Sequence, residues 1–130
     1  MPELELADEW RRFARMDFDA ALYLQGFHPL PVEIICFHCH QAAEKSLKAV
    51  LAYHDEDIPY IHDTLRLWGL TSALELALTG LRAQSDRLKE YATVSRYPNE
   101  KVELHEADMR QALKDAKAIV EAVEALWREP

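Results

Sequence analysis

The chain has 130 residues, of which 49% are hydrophobic, and 15 Lys and Arg stand against 23 Asp and Glu for a formal net charge of -8. This length and composition suffice for one folded unit, so we expect residues 1–130 to form a single domain. The negative charge excludes broad electrostatic capture of nucleic acid or of an anionic membrane. Two cysteines cannot supply the disulfide framework of a small secreted scaffold. Because no apolar run approaches about 20 residues, we expect a cytoplasmic protein.

The sequence predicts an all-α fold, because no segment repeats the alternating pattern of a half-buried strand. A first helix is expected over about residues 3–24, where apolar side chains recur at helical spacing until GFHPLP interrupts them. Pro31 suits the first turn of a second helix, since its missing N–H would be unpaired there in any case. This second helix should reach about His54.

The second half of the chain predicts three more helices. Asp63 or Thr64 can cap a third helix through LRLWGLTSALELAL, which Gly69 can kink or split. A fourth helix is expected over LRAQSDRLKEYA. In the last helix, apolar residues alternate steps of three and four between Met109 and Leu126, which is the spacing of one packed seam. Five antiparallel helices joined by short loops predict a bundle.

The segment CFHCHQAAEK, residues 36–45, holds two cysteines and two histidines within five positions. At 100° per residue, Cys36 and Cys39 share the apolar side of the second helix. A zinc site needs about four converging ligands, and one helix offers only a pair such as Cys36 and His40; further imidazoles would have to come from His54, His62 or His105. A redox C-x-x-C pair is usually found where a strand leads into a helix, and no strand is predicted here. We therefore favour two thiols in the bundle core and predict no metal site.

Polar residues share the opposite side of the same helix, namely His38, Gln41, Lys45 and Lys48. Such a side is most often solvated, with Glu44 and Lys48 as an ordinary i,i+4 pair, although its donors could also bind a phosphate. Phe37 and Leu51 lie beside it, where water would normally meet them. Either a partner helix or a contact under the third helix would cover them. The candidate dimer or partner interface therefore consists of Phe37, His38, Gln41 and Leu51.

Three segments in this order, FHCHQAAEKSLKAVL, IPYIHDTLRLW and YATVSRYP, resemble the HEPN family of small helical domains. The similarity covers about residues 14–98, and the last helix agrees in length and pattern. ARMDFDAA adds a weaker match that contains Asp17. His40 departs from the pattern, because similar sequences commonly have glutamine at this place.

The resemblance implies a helical bundle that dimerises and is often encoded beside, or fused to, a minimal nucleotidyltransferase. In several branches it also implies a metal-independent RNase toxin, in which an arginine is followed after four to six residues by a histidine. Here Arg96 and His105 have eight residues between them, so the RNase spacing is absent. Glutamates surround His105 and would repel an approaching phosphate; they are Glu100, Glu103 and Glu106.

These observations predict a non-catalytic, homodimeric HEPN-type interaction module that binds a minimal nucleotidyltransferase in a toxin–antitoxin or nucleotide-related system, without a cofactor. One alternative is an RNase toxin that uses Arg96 and His105. The other is a nucleotide sensor with a pocket between Lys45, His62, Arg96 and Tyr97. A structural role is also open to His62, whose ring could donate to a loop carbonyl or to Asp63.

Overall fold

The computed structural model describes residues 3–93 and 103–127. Its elements are five helices, α1 (Glu3–Leu24), α2 (Val32–Tyr53), α3 (Thr64–Ser72), α4 (Arg82–Leu88) and α5 (Glu106–Glu124), and two 3-10 turns at Leu76–Leu81 and Lys89–Tyr91. Within the described ranges there is no strand, so the predicted all-α bundle of about five helices is confirmed. No helix in those ranges combines the length and the apolar character needed to cross a bilayer.

The starts of α3 and α5 follow from local capping. One carboxylate oxygen of Asp63 accepts hydrogen bonds from the backbone N–H groups of Leu65, at 2.9 Å, and Arg66, at 3.2 Å. At α5, the Asp108 carboxylate accepts from the backbone N–H of His105 at 2.8 Å. Both carboxylates satisfy N–H groups that have no partner within the helix, as the sequence predicted for Asp63.

The third helix is shorter than the sequence predicted. It ends at Ser72, and Gly69 lies inside it without splitting it. The buried Thr71 hydroxyl donates to the Leu67 carbonyl at 2.9 Å, a local bond that competes with continued helix. After the end of α3, the Trp68 indole N–H donates to the Leu78 carbonyl at 2.7 Å and holds the first 3-10 turn against α3.

Helix α2 lies at the centre of the fold and is contacted by all four other helices. Its buried side contains both thiols, Cys36 and Cys39, each 0% exposed. The sequence placed these thiols in the core, and their burial confirms that placement. From Ala42 to Ala52 every residue except Lys45 is buried, so the second half of α2 has almost no solvated face.

Charged side chains tie α5 to the helices on either side of it. Arg15 of α1 donates through Nε to Glu124 at 2.9 Å, and Arg11 donates to the Trp127 carbonyl at 2.7 Å. On the opposite side, Arg87 of α4 binds both carboxylate oxygens of Asp115, at 2.9 and 2.8 Å. The Asp115 side chain is 3% exposed, so its charge depends on this bidentate contact.

Replacing Arg87 with Ala should destabilise the fold by about 1–2 kcal/mol, because Asp115 would keep, among the residues that the structure describes, only the Gln111 amide as a donor. The solvent-exposed part of Arg87 limits the loss. Urea unfolding followed by circular dichroism measures the change. Arg82→Ala, at an exposed position on the same helix, is the matched control and should change stability by less than about 0.5 kcal/mol. Equal losses in the two variants would show that the Asp115 contact is not stabilising.

Candidate functional site

Asp17 of α1 binds two of the polar residues of α2. Its carboxylate accepts from Lys45 Nζ at 2.6 Å and from His38 Nδ1 at 3.0 Å. The Asp17 side chain is 14% exposed, so these contacts are largely shielded from water. The side of α2 that the sequence predicted to be solvated therefore faces α1, and the charge of Lys45 is balanced within the chain.

Glu44 and Lys48 form a second polar contact, one turn further along α2. Lys48 Nζ lies 3.2 Å from a Glu44 oxygen, and both side chains are 6% exposed. The other Glu44 oxygen accepts from His62 Nδ1 at 2.9 Å. The expected i,i+4 pair is thus present, but it is buried rather than solvated, and Glu44 connects α2 to the segment before α3. A buried carboxylate requires such partners because desolvation is costly.

The expected partner of the His62 ring was a loop carbonyl or Asp63, and that expectation is wrong. Asp63 is occupied in capping α3, and the ring donates to Glu44 instead. The His62 backbone carbonyl accepts from Nε2 of His40 at 2.7 Å. His40 is 0% exposed, so the residue that departs from the family pattern serves as a buried tie between α2 and the same segment.

Burial makes the two thiols poor nucleophiles. Loss of hydration raises the pKa of Cys36 to about 12, and the pKa of Cys39 is raised still further for the same reason. Across residues 3–93 and 103–127, no three side chains of His, Cys, Asp or Glu come together as metal ligands would. The geometry therefore favours the core interpretation of C-x-x-C over the redox one.

The residues of the predicted nucleotide pocket lie on different sides of α2. Lys45 binds Asp17 on the side of α1, whereas His62 binds Glu44 on the side of α3. Arg96 and Tyr97, the other two members, lie outside the described residues, so the pocket stays a prediction. His105, the candidate RNase histidine, is exposed immediately before α5, with Glu106 and Asp108 in the first turn of that helix.

The predicted interface residues differ in accessibility. Phe37, His38 and Gln41 are partly buried, and their role in an interface stays a prediction. Leu51 is 3% exposed, so it is covered within the chain. It shares a small cavity with Leu70 and Leu74, which shows that α3 and the segment after it cover this side of α2. Of the two explanations that the sequence left open for Leu51, the contact under the third helix is therefore the one observed.

A cavity of about 390 Å³ lies beside Lys45 on the surface of α1. The sequence analysis did not predict it. Its lining is mainly apolar and consists of Leu6, Glu9, Trp10, Phe13 and Lys45. Leu6 and Phe13 remain 38% and 42% exposed, although they recur at the same helical spacing as the core residues of α1. Helical periodicity identifies the helix but does not distinguish these outward positions from buried ones.

The fold and this polar network define a helical-bundle domain in which the two described residues of the predicted pocket, Lys45 and His62, bind carboxylates of the same chain. The family model for the HEPN domain matches residues 7–126. The chain therefore belongs to the HEPN domain family, as its sequence motifs predicted. A search of curated proteins and a search of solved structures each returned no match.

The native protein should react very slowly with a thiol reagent such as DTNB at pH 8. The raised thiol pKa values leave almost no thiolate at that pH, and both sulfur atoms are buried. The release of thionitrobenzoate, followed by its absorbance, measures the rate. Unfolding in concentrated guanidinium should expose both thiols within minutes. Fast labelling without denaturant would contradict the buried placement.

Replacing Asp17 with Asn should lower the free energy of unfolding by about 1–2 kcal/mol, because Lys45 and His38 would lose their shared charged acceptor. Asp57→Asn is the matched control at an exposed position and should cost less than about 0.5 kcal/mol. Thermal and urea denaturation measure both variants. A stability equal to that of the control would mean that the contact between α1 and α2 does not depend on this carboxylate.

Proposed function

We propose that the protein is a non-catalytic, homodimeric HEPN interaction module that binds a minimal nucleotidyltransferase in a toxin–antitoxin or nucleotide-related system. Membership of the HEPN family supports the class of domain. One observation carries the proposal: the two described members of the predicted nucleotide pocket, Lys45 and His62, each bind a carboxylate of the same chain. Each contact joins two separate elements of the fold.

The pairing disfavours a bound phosphate at this place. A phosphate that approached Lys45 would meet Asp17 at hydrogen-bond distance from the same amine. A phosphate that approached His62, whose side chain is 56% exposed, would meet the buried Glu44 carboxylate at hydrogen-bond distance from the same ring. Because like charges repel, either ligand would have to bind beside a negative group of the chain.

A protein partner fits the remaining features better. The formal charge of -8 favours a partner with a basic surface, and complementary charge accelerates association. Several large apolar side chains of α1 are also exposed, among them Phe13 at 42% and Met16 at 55%. Exposed apolar groups of this size are typical of protein contacts, and the homodimer is the contact that we assign to them.

Co-expression with a nucleotidyltransferase encoded beside this chain should give one complex in size-exclusion chromatography. The complex should weaken as the salt concentration rises, because screening reduces the attraction between acidic and basic surfaces. The chain alone should elute as a dimer, with its mass measured by light scattering. A tagged helical protein of similar size and charge is the control and should not retain the nucleotidyltransferase. Separate elution at micromolar concentrations would contradict the partner assignment.

Two further measurements test the absence of catalysis and of nucleotide binding. Single-stranded RNA incubated with the protein in EDTA should stay intact, and calorimetry with millimolar ATP should show no saturable heat. RNA cleavage that both Arg96→Ala and His105→Ala abolish would establish the RNase alternative instead. ATP binding that Lys45→Ala weakens would establish the nucleotide sensor.

A further inference from the structure

The side of α1 that faces away from the core carries four exposed apolar residues, which we call the outer stripe: Leu6, Phe13, Met16 and Tyr23. They are 38%, 42%, 55% and 86% exposed, respectively. The buried residues of the same helix lie about 140° away around its axis; they are Ala7, Ala14, Phe18 and Ala21. The helix is therefore apolar on two sides, and the core uses only one of them.

The outer stripe has the spacing of a helix–helix seam. With Glu9 and Ala20, its residues form the series 6, 9, 13, 16, 20 and 23, which alternates steps of three and four. Alternation of this kind keeps a single line of side chains facing a neighbouring helix, with a and d positions in turn. Within the described part of the chain, α1 packs against α2 and α5 through its other side.

We propose that the outer stripe is the surface on which a second copy of this chain packs, with the two α1 helices antiparallel. The inference rests on the proposed homodimer and specifies its interface. In the series of the outer stripe, residues 6, 13 and 20 are a positions and residues 9, 16 and 23 are d positions. In the register that sets a positions opposite d positions, Phe13 lies opposite Met16 of the second copy, and Leu6 lies opposite Tyr23. The twofold axis repeats both contacts, so all four apolar residues are used twice.

Charge complementarity selects a second copy as the occupant. Arg12 and Asp19 follow one flank of the stripe, seven residues apart. In the antiparallel register, Arg12 of each copy lies within about 3 Å along the axis of Asp19 in the other copy. In a parallel pair Arg12 would instead face Asp17 of the other copy, whose carboxylate is already bound by Lys45 and His38. The self-complementary order of these charges therefore fits an antiparallel pair of identical helices.

The contacts that these two residues make within one chain are weak surface pairs, and the Arg12 guanidinium has enough N–H groups to keep Glu9 while it binds Asp19 of a second copy. Arg12 pairs with Glu9 at 3.0 Å, and Asp19 lies 3.4 Å from Arg15. Arg12, Glu9 and Asp19 have exposed side chains, and surface pairs of this kind contribute little to stability. The cavity beside Leu6 and Phe13, about 390 Å³ in volume, also leaves room at the level where Tyr23 of the second copy would lie.

The first test measures the dimer dissociation constant by sedimentation equilibrium. Phe13→Glu and Met16→Glu should each raise it at least about tenfold, because each places two charges in the seam of one dimer. Leu76→Glu is the matched control, an 85% exposed leucine elsewhere in the chain, and should leave the dissociation constant unchanged. Circular dichroism confirms that each variant is folded.

The second test is a charge exchange. In the R12E chain, positions 12 and 19 are both acidic, and in the D19R chain both are basic, so each variant should dimerise at least about tenfold more weakly than the wild type. An equimolar mixture of the two should form a heterodimer of nearly wild-type affinity, because both interchain pairs are then of opposite sign. No other occupant of the stripe predicts this rescue.

The outcomes separate the two proposals. If the wild type is a dimer whose affinity changes in none of the stripe variants, the homodimer stands and the α1 interface is wrong. If the single variants weaken the dimer but the mixture does not recover it, the antiparallel register is wrong. If the wild type is monomeric at high micromolar concentration, the proposed homodimer fails, and this inference fails with it. Binding of the stripe to the nucleotidyltransferase alone would also overturn it.

Discussion

The rest of the structure depends on the burial of α2 by helices on all sides. The second half of this helix has almost no solvated face, so its buried polar residues need partners inside the protein. Glu44 and Lys48 bind each other there, Glu44 also binds His62 before α3, and Asp17 of α1 binds Lys45 and His38. The carboxylates must therefore lie next to the polar residues that they bind, either on α2 itself or on an element that packs against it.

The same constraint bears on function. A charged side chain that could bind a ligand in an open cleft instead stabilises the fold when a neighbouring helix supplies its counter-charge. Lys45 is such a residue. Its amine is 2.6 Å from an Asp17 oxygen on α1, and its side chain is 25% exposed. The match to the HEPN family identifies the class of domain. The proposal of an interaction module rather than a nucleotide site rests instead on the contacts of Lys45 and His62 with carboxylates of the same chain.

Local patterns in the sequence were sufficient to predict most of the helices. Helical periodicity located α1, α2 and α5, and the Asp63 cap located α3, because capping and spacing depend on neighbouring residues only. The 3-10 turn after α3 could not be predicted in this way, since the Trp68 indole holds it through the Leu78 carbonyl, ten residues further along the chain. The burial of Leu51 and Lys48 also depends on which helices cover α2, and no local pattern encodes that.

The two apolar sides of α1 show why burial cannot be deduced from periodicity alone. Small residues, mainly alanines, let the inner side approach α2 and α5 closely, whereas the larger side chains of Phe13, Met16 and Tyr23 lie outside. Burial energy scales with apolar area, so covering the outer side in the proposed homodimer would bury the larger apolar side chains of α1 as well as the smaller ones. The distribution of large and small residues on this helix therefore supports that proposal.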